Sequence, residues 1–412
     1  MTPEPNHSAL STQHSALGIT AASGYQCAVA QAGLKSGGLD LFLLQSQIPA
    51  VAAGVFTRNQ VIGAPVRVCA EHLAHPTVRA VITNSGNANC CTGNDGLKKA
   101  RQMCELAAEK VGCLPEEVLV CSTGIIGVPL PLEKIIAQVP SMHWDRGAPA
   151  DLQAAQAIMT TDLVPKYFSA SAEIDGGNVT IGGMVKGSGM IGPDMGALPH
   201  ATMLAYLTTD AAVEKVLLQE LLENAVDQSF NSVTVDGDTS SNDTCLLLAN
   251  GASGVAINAQ NKNQFAALLQ TVCTELAKKV AADGEGATHL MEIHISGAAS
   301  AEDAHKVAMT VANSPLVKTA IFGGDPNWGR LAVAAGRAGI PFDMANLSIR
   351  LGDMEVLRNG EPVDFDETNA AEELKPFEVK VSIKIGSGGH SWTAWTCDYS
   401  YDYIKINAEY HT

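Results

Sequence analysis

Near the midpoint of the 412-residue chain, residues 182–204 interrupt any regular element. Gly182, Gly183, Gly187, Gly189, Gly192 and Gly196 alternate there with Lys186, Pro193 and Pro199, and the stretch closes on Ala201, Thr202, Met203 and Leu204. Glycine admits turns and close backbone approaches, and proline removes a donor, so the stretch reads as a glycine-rich turn followed by a punctuated segment. A helix is expected soon after Leu204. By itself, a hydroxyl at a loop-to-helix boundary such as Thr202 reads as an N-cap.

Elsewhere the pattern alternates short strands with helices. Residues 1–17 are polar and are expected to be a loose tail. Apolar runs at 41–44, 51–57 and 78–84 predict buried strands. The turn at 84–93, Asn-Ser-Gly-Asn-Ala-Asn-Cys-Cys-Thr-Gly, suits either a backbone anion nest or a loop-to-helix junction. A helix is predicted over 96–111, with Leu97, Ala100, Met103, Cys104 and Ala107 on one face. The strand at 117–122 then runs into a Thr123-Gly124 loop, where glycine would let a ligand approach the main chain. Thr160 and Asp162 follow an apolar run that reads as a helix end. Strands are expected at 178–181, 289–295 and 377–385, and helices at 211–226 and 265–280. Asp236, Asp238, Ser240 and Asn242 mimic a calcium loop, but Ser241 and Leu247 occupy the positions that need glycine and glutamate, which rules out an EF-hand.

Bulk properties exclude several classes. A formal net charge of −17 opposes nucleic acid or an anionic membrane as partner. An anionic substrate would need a local positive site. The ten cysteines include no C-x-x-C pair, which fits buried reduced thiols rather than a zinc site or disulfide framework. The first residues carry neither a basic start nor an apolar core, so no signal peptide is expected. No apolar run reaches spanning length. A cytoplasmic protein is the expectation.

The Lys-Gly-Ser-Gly-Met-Ile run at 186–191, followed by Ala-Thr-Met-Leu at 201–204, resembles the junction of the ornithine acetyltransferase (bifunctional glutamate N-acetyltransferase) family of arginine biosynthesis. The blocks at 84–93, 123–124, 230–244 and 323–330 are similar to that family too. The chain departs from it by about five residues, 196–200, placed just before Ala201. The resemblance implies a mixed α/β fold in two parts that share one cleft. It implies self-cleavage between Ala201 and Thr202, giving an α chain (18–201) and a β chain (202–412) that assemble as α2β2 or larger. It implies Thr202 as nucleophile, Thr123 and Gly124 as oxyanion hole, and Thr160, Lys186, Thr202, Glu285, Asn407 and Thr412 as substrate ligands. The implied reaction moves an acetyl group from N-acetylornithine to glutamate by a ping-pong route without metal or redox cofactor. Some members also take acetyl-CoA as donor.

The chemistry gives such a threonine a reason. A hydroxyl is a poor nucleophile unless a base adjoins it. Opening the bond before Thr202 would create an α-amine on the same residue, with a reference pKa of about 7.7–8.0, close to working pH. Two other readings share these residues. One is an N-terminal-nucleophile aminopeptidase or amidase, which would pass its acyl group to water. The other is an unprocessed binding protein. Arg330 is open between holding a carboxylate and pairing with Asp325.

Overall fold

The structure is a computed structural model that describes residues 12–15, 17–196 and 203–409. Its mixed α/β architecture rests on two sheets. The larger has ten strands. Its main path runs Gln13–Ser15, Lys166–Ile174, Gly177–Lys186, Leu204–Thr209, Thr244–Ala249, Leu41–Thr57, Val78–Asn87 and Val118–Ile125, with Tyr25–Ala30 and Met195–Gly196 also paired to Leu41–Thr57. Strands from both sides of the 197–202 segment therefore alternate within one sheet. Gly177–Lys186 pairs antiparallel with Leu204–Thr209, which pairs parallel with Thr244–Ala249.

Leu41–Thr57 links two parts of this path, pairing with Thr244–Ala249 through residues 51–56 and with Val78–Asn87 mainly through residues 41–45. Its register shifts between Gln45 and Ala50, on either side of Pro49, which has no amide hydrogen for a ladder. The two expected strands at 41–44 and 51–57 are thus one bent strand. The bend brings two faces of the sheet together around a buried cluster that includes Phe42, Leu44, Val81 and Leu119 from one side and Leu204, Tyr206, Leu246 and Leu248 from the other. Tyr206 crosses this layer, its ring 5.7 Å from Phe42 and its hydroxyl 2.7 Å from Thr83 Oγ1. Helices cover the outer faces. Lys215–Asp227 and Lys262–Ala282 pack over Val55, Ala205, Leu207 and Leu247, and Gly93–Val111 packs over Leu43, Ile82 and Val120. The second sheet, of seven strands, carries its own core against the helices Ala301–Ala312, Pro315–Phe322 and Trp328–Gly336.

Several expectations need correction. The helix expected just after Leu204 is instead the strand Leu204–Thr209, and the helix starts at Lys215. Leu204 to Thr209 are buried on both faces of the strand, so their apolar run carries no alternation to mark it. Within the supposed tail, Gln13–Ser15 pairs antiparallel with Ser169–Ser171. Thr123 and Gly124 lie in the last turn of a strand, Val118–Ile125, rather than in a loop after it. Arg330 does not pair with Asp325: Nη1 donates to the Leu316 carbonyl at 2.8 Å, at an exposed helix junction. Of the cysteines, Cys91 is exposed and Cys113 half-buried, while the other eight are buried.

Leu207 is fully buried where the two halves of the chain meet, beside Leu247 and Gly183. Leu207→Ala is expected to lower unfolding stability by about 2–5 kcal/mol in urea titration, without altering the m-value.

Candidate active site

Three strand ends meet side by side in the interior of the large sheet. Register places Lys186, the last residue of its strand, opposite Leu204, and Leu204 opposite Thr244. On the facing part of the sheet, Val118–Ile125 delivers Thr123, whose Oγ1 accepts a hydrogen bond from Lys186 Nζ at 3.1 Å. Both groups are buried. Gly124 has φ +129°, and a Cβ there would stand 2.3 Å from the Gly86 carbonyl carbon, so only glycine fits.

The approach beneath this corner is set by carboxylates. Asp162 accepts from the Thr160 N–H at 2.9 Å, the Gly187 N–H at 2.7 Å and Lys166 Nζ at 2.6 Å. It thereby ties the Thr160 loop to the glycine turn after Lys186. Lys166 also pairs with Asp283, which accepts from the Leu163 N–H at 3.1 Å. Two residues beyond Asp283, the Glu285 N–H donates to the Ser188 carbonyl. Gly189 makes room for the Glu285 carboxylate, because a Cβ there would lie 2.4 Å from it. Asn407, on the terminal helix Tyr401–Glu409, donates to Glu285 Oε2 at 2.8 Å.

The result is a cleft of about 160 Å³ into which Thr123, Gly124, Thr160, Lys186, Glu285 and Asn407 all project. These six expected site residues are brought together. Ala201, Thr202 and Thr412, also expected there, lie outside the described residues. Asp236 and Asp238, in the block 230–244 expected to line the cleft, do so, whereas the sequence reading missed Tyr403 and Met190 as lining residues and the Lys166–Asp283 pair that underlies the cleft. A lysine four residues after Asp162, in a chain with few lysines, was the available signal.

Electrostatics polarise the cleft. Burial pulls the Lys186 ammonium below the ordinary lysine range, with Lys166 adding to the fall and Asp162, Asp243 and Glu285 opposing it. Burial would raise Asp162, but Lys166 and Lys186 outweigh it and hold that carboxyl well below its usual value. Asp236 is pushed up to about 6 by burial, against three backbone N–H donors that include Met190 and Ile191. A cation (Lys186) and a carboxylate (Glu285) therefore face one small cavity, an arrangement that suits a molecule bearing both a carboxylate and an amine.

Fold and cleft together define a mixed α/β enzyme that handles amino-acid-like ligands. The profile of the ArgJ family matches residues 26–412. The chain is 48% identical to the arginine biosynthesis bifunctional protein ArgJ of Thermosynechococcus vestitus, over 96% of this chain and 98% of that protein. It is 47% identical to the protein of the same name from Symbiobacterium thermophilum, again over 96% and 98%. Among solved structures, ornithine acetyltransferase from Mycobacterium tuberculosis complexed with ornithine is 41% identical, covering 45% of this chain and all of that one, with a TM-score of 0.43. The chain belongs to the ArgJ family and is an acetyltransferase of arginine biosynthesis. Among the described residues no helix is long and apolar enough to cross a membrane.

Lys166 is 1% exposed between two carboxylates. Lys166→Met leaves both unpaired and is expected to cost about 3–5 kcal/mol at pH 7. Asp162, with a folded pKa below the unfolded one, contributes stability that is present above the unfolded value and lost as pH falls through the folded one. Protonation relieves the stranded carboxylate, so the deficit of the variant should shrink as pH drops below about 4. Chemical denaturation across pH 3–7 checks this.

Proposed function

We propose that the chain transfers the acetyl group of N-acetylornithine to glutamate through an acetyl ester on Thr202, after cutting itself between Ala201 and Thr202. The observation that carries this reading is the convergence of Thr123, Gly124, Thr160, Lys186, Glu285 and Asn407 on one cleft, beside the strand that begins two residues after Thr202.

Cleavage begins when Thr202 Oγ attacks the Ala201 carbonyl carbon. The peptide nitrogen leaves as the Thr202 amine, and water then hydrolyses the ester to free the Ala201 carboxylate and the hydroxyl. In the transfer reaction that amine accepts the Oγ proton as the oxygen attacks the acetyl carbonyl. The Thr123 hydroxyl and Gly124 N–H hold the developing oxyanion. The buried Lys186 ammonium, 3.1 Å from Thr123 Oγ1, adds positive charge where it counts most, in a poorly solvated corner. The intermediate collapses and returns the proton to the departing nitrogen of ornithine. Glutamate reverses the sequence and leaves with the acetyl group. Lys186 takes an amino-acid carboxylate. Glu285, oriented by Asn407, takes an amine, and Thr160 and Thr412 fix the remainder.

The products of cleavage, residues 18–201 and 202–412, remain one unit in this reading because their strands interleave, and two such pairs form α2β2. The enzyme works in the cytoplasm, and acetyl-CoA is an additional donor.

Intact mass under denaturing conditions tests the nucleophile. Wild type is expected as two fragments, the second starting at Thr202, that co-purify under native conditions, while Thr202→Ala stays whole. An uncut wild-type chain overturns the reading. On processed enzyme, Thr123→Ala should lower kcat by about 100- to 1,000-fold with little change in KM, measured as glutamate-dependent release of ornithine. Release that does not depend on glutamate would instead indicate a hydrolase.

A further inference from the structure

Among the described residues Asp243 is the one carboxylate that is buried with both oxygens unpaired; the Ser169 and Ser240 hydroxyls are the other buried side-chain groups without a partner. Asp243 is 1% exposed. Buried polar groups are nearly always paired, and an ionised carboxylate left unpaired away from water is strongly unfavourable. The neighbours of Asp243 fix its backbone. Asn242 Nδ2 donates to the carbonyls of Ala88 and Ser122, and the Thr244 N–H donates to the Met203 carbonyl at 2.7 Å. Asp243 is held in place beside the start of the Leu204–Thr209 strand and is not free to turn toward solvent.

Its surroundings say what charge it waits for. Thr244 is level with Leu204 in a parallel pair, so Asp243 stands level with Met203. Met203, Ala205, Cys245 and Leu247 share one buried face, and Leu204, Tyr206, Leu246 and Leu248 the other. Alternation puts Asp243 on the Met203 side. Two charged groups act on it from neighbouring segments. Lys186, at the end of the adjoining strand, favours its ionisation, and Asp236, on the loop before it, opposes that. Burial outweighs both and keeps the carboxyl above its ordinary range. The Lys186 ammonium donates to Thr123 Oγ1 and makes no hydrogen bond to Asp243.

The geometry points to Asp243 as a positioning residue whose carboxylate receives the α-ammonium that cleavage creates on the residue preceding Met203. This rests on the reading of Thr202 as the freed nucleophile. Before cleavage the neutral acid needs no counter-ion. Afterwards its proton can pass to the new amine, which gives a carboxylate–ammonium pair with no change in total charge. Once that pair loses one proton to solvent, the amine is neutral and can take the Thr202 hydroxyl proton, while the Asp243 carboxylate stabilises the ammonium that forms.

The sign of the pH effect follows. A carboxylate beside the amine raises its pKa and Lys186 lowers it, so removing the carboxylate lowers it. In processed Asp243→Asn, the acid limb of kcat/KM should move to lower pH. The plateau kcat should fall by about 100-fold or more, with KM little changed. In the uncut Thr202→Ala background, where no amine forms, Asp243→Asn should leave the melting temperature unchanged or raised. Asp243→Glu, which keeps the charge, should recover the acid limb of wild type. An unmoved acid limb in Asp243→Asn, a lowered melting temperature in the uncut background, or a folded Asp243→Asn chain that no longer cuts would each overturn the inference. Failure of the underlying reading shows separately, as a wild-type chain whose second fragment does not begin at Thr202.

Discussion

One buried ammonium holds the cleft together. Lys166 sits between Asp162 and Asp283, and each carboxylate uses its remaining capacity on main-chain N–H groups of a different segment. Through Asp162 the Thr160 loop is fastened to the turn after Lys186. Through Asp283 the end of the long helix Lys262–Ala282 is fastened to the same loop. Glu285 is two residues further on, so its position follows from this arrangement. A buried ion pair adds little stability compared with an apolar replacement of the same shape. Its value here is in geometry: a planar acceptor with several lone pairs can bind three donors at once, here from Thr160, Lys166 and Gly187, which an apolar contact cannot do.

The sheet supplies the other constraint. Leu204–Thr209 lies between Gly177–Lys186 and Thr244–Ala249, hydrogen-bonded to both, and its apolar side chains fill two separate cores. The ladder pairings of this strand begin at Leu204, after the proposed cut. The strands on either side are held by their neighbours, so one peptide bond there adds little to the stability of the fold. Backbone chemistry at such a site is compatible with a folded product.

Much of this was legible in the sequence, and the exceptions share a cause. The helix over Gly93–Val111 announced itself through Ala100, Met103, Cys104 and Ala107, because one of its faces meets water and the period shows. Leu204–Thr209 gave no such contrast, since both its faces are buried. Thr123, Gly124, Thr160, Lys186, Glu285 and Asn407 were marked by their resemblance to a family, and the fold gathers all six. Asp162, Lys166, Asp283 and Asp243 act through burial and through partners far along the chain. Asp162 and Asp283 are 121 residues apart, with several strands and the helices Lys215–Asp227 and Lys262–Ala282 between them, and no local pattern tells a buried carboxylate from a solvated one. Gln13–Ser15 was misjudged for a related reason, as a polar segment can still satisfy a sheet edge through its backbone alone.

The charge distribution resolves an apparent conflict. A chain with a net charge of −17 should repel carboxylates, yet the cleft is built around Lys186, with Lys166 and Lys35 close behind it. Burial pulls both Lys186 and Lys35 below the usual lysine range, and the carboxylates of Asp162 and Glu285 counter that fall at Lys186. The acidic residues near the site thus oppose the loss of charge that desolvation favours at Lys186. Beyond a Debye length of about 8 Å the outer negative charge is largely screened. Within the cleft, an arriving carboxylate meets an ammonium that water cannot shield, and an arriving amine meets Glu285. The same low polarity that makes these charges costly to bury makes them effective on a small zwitterion and on an oxygen that gains charge beside Thr123.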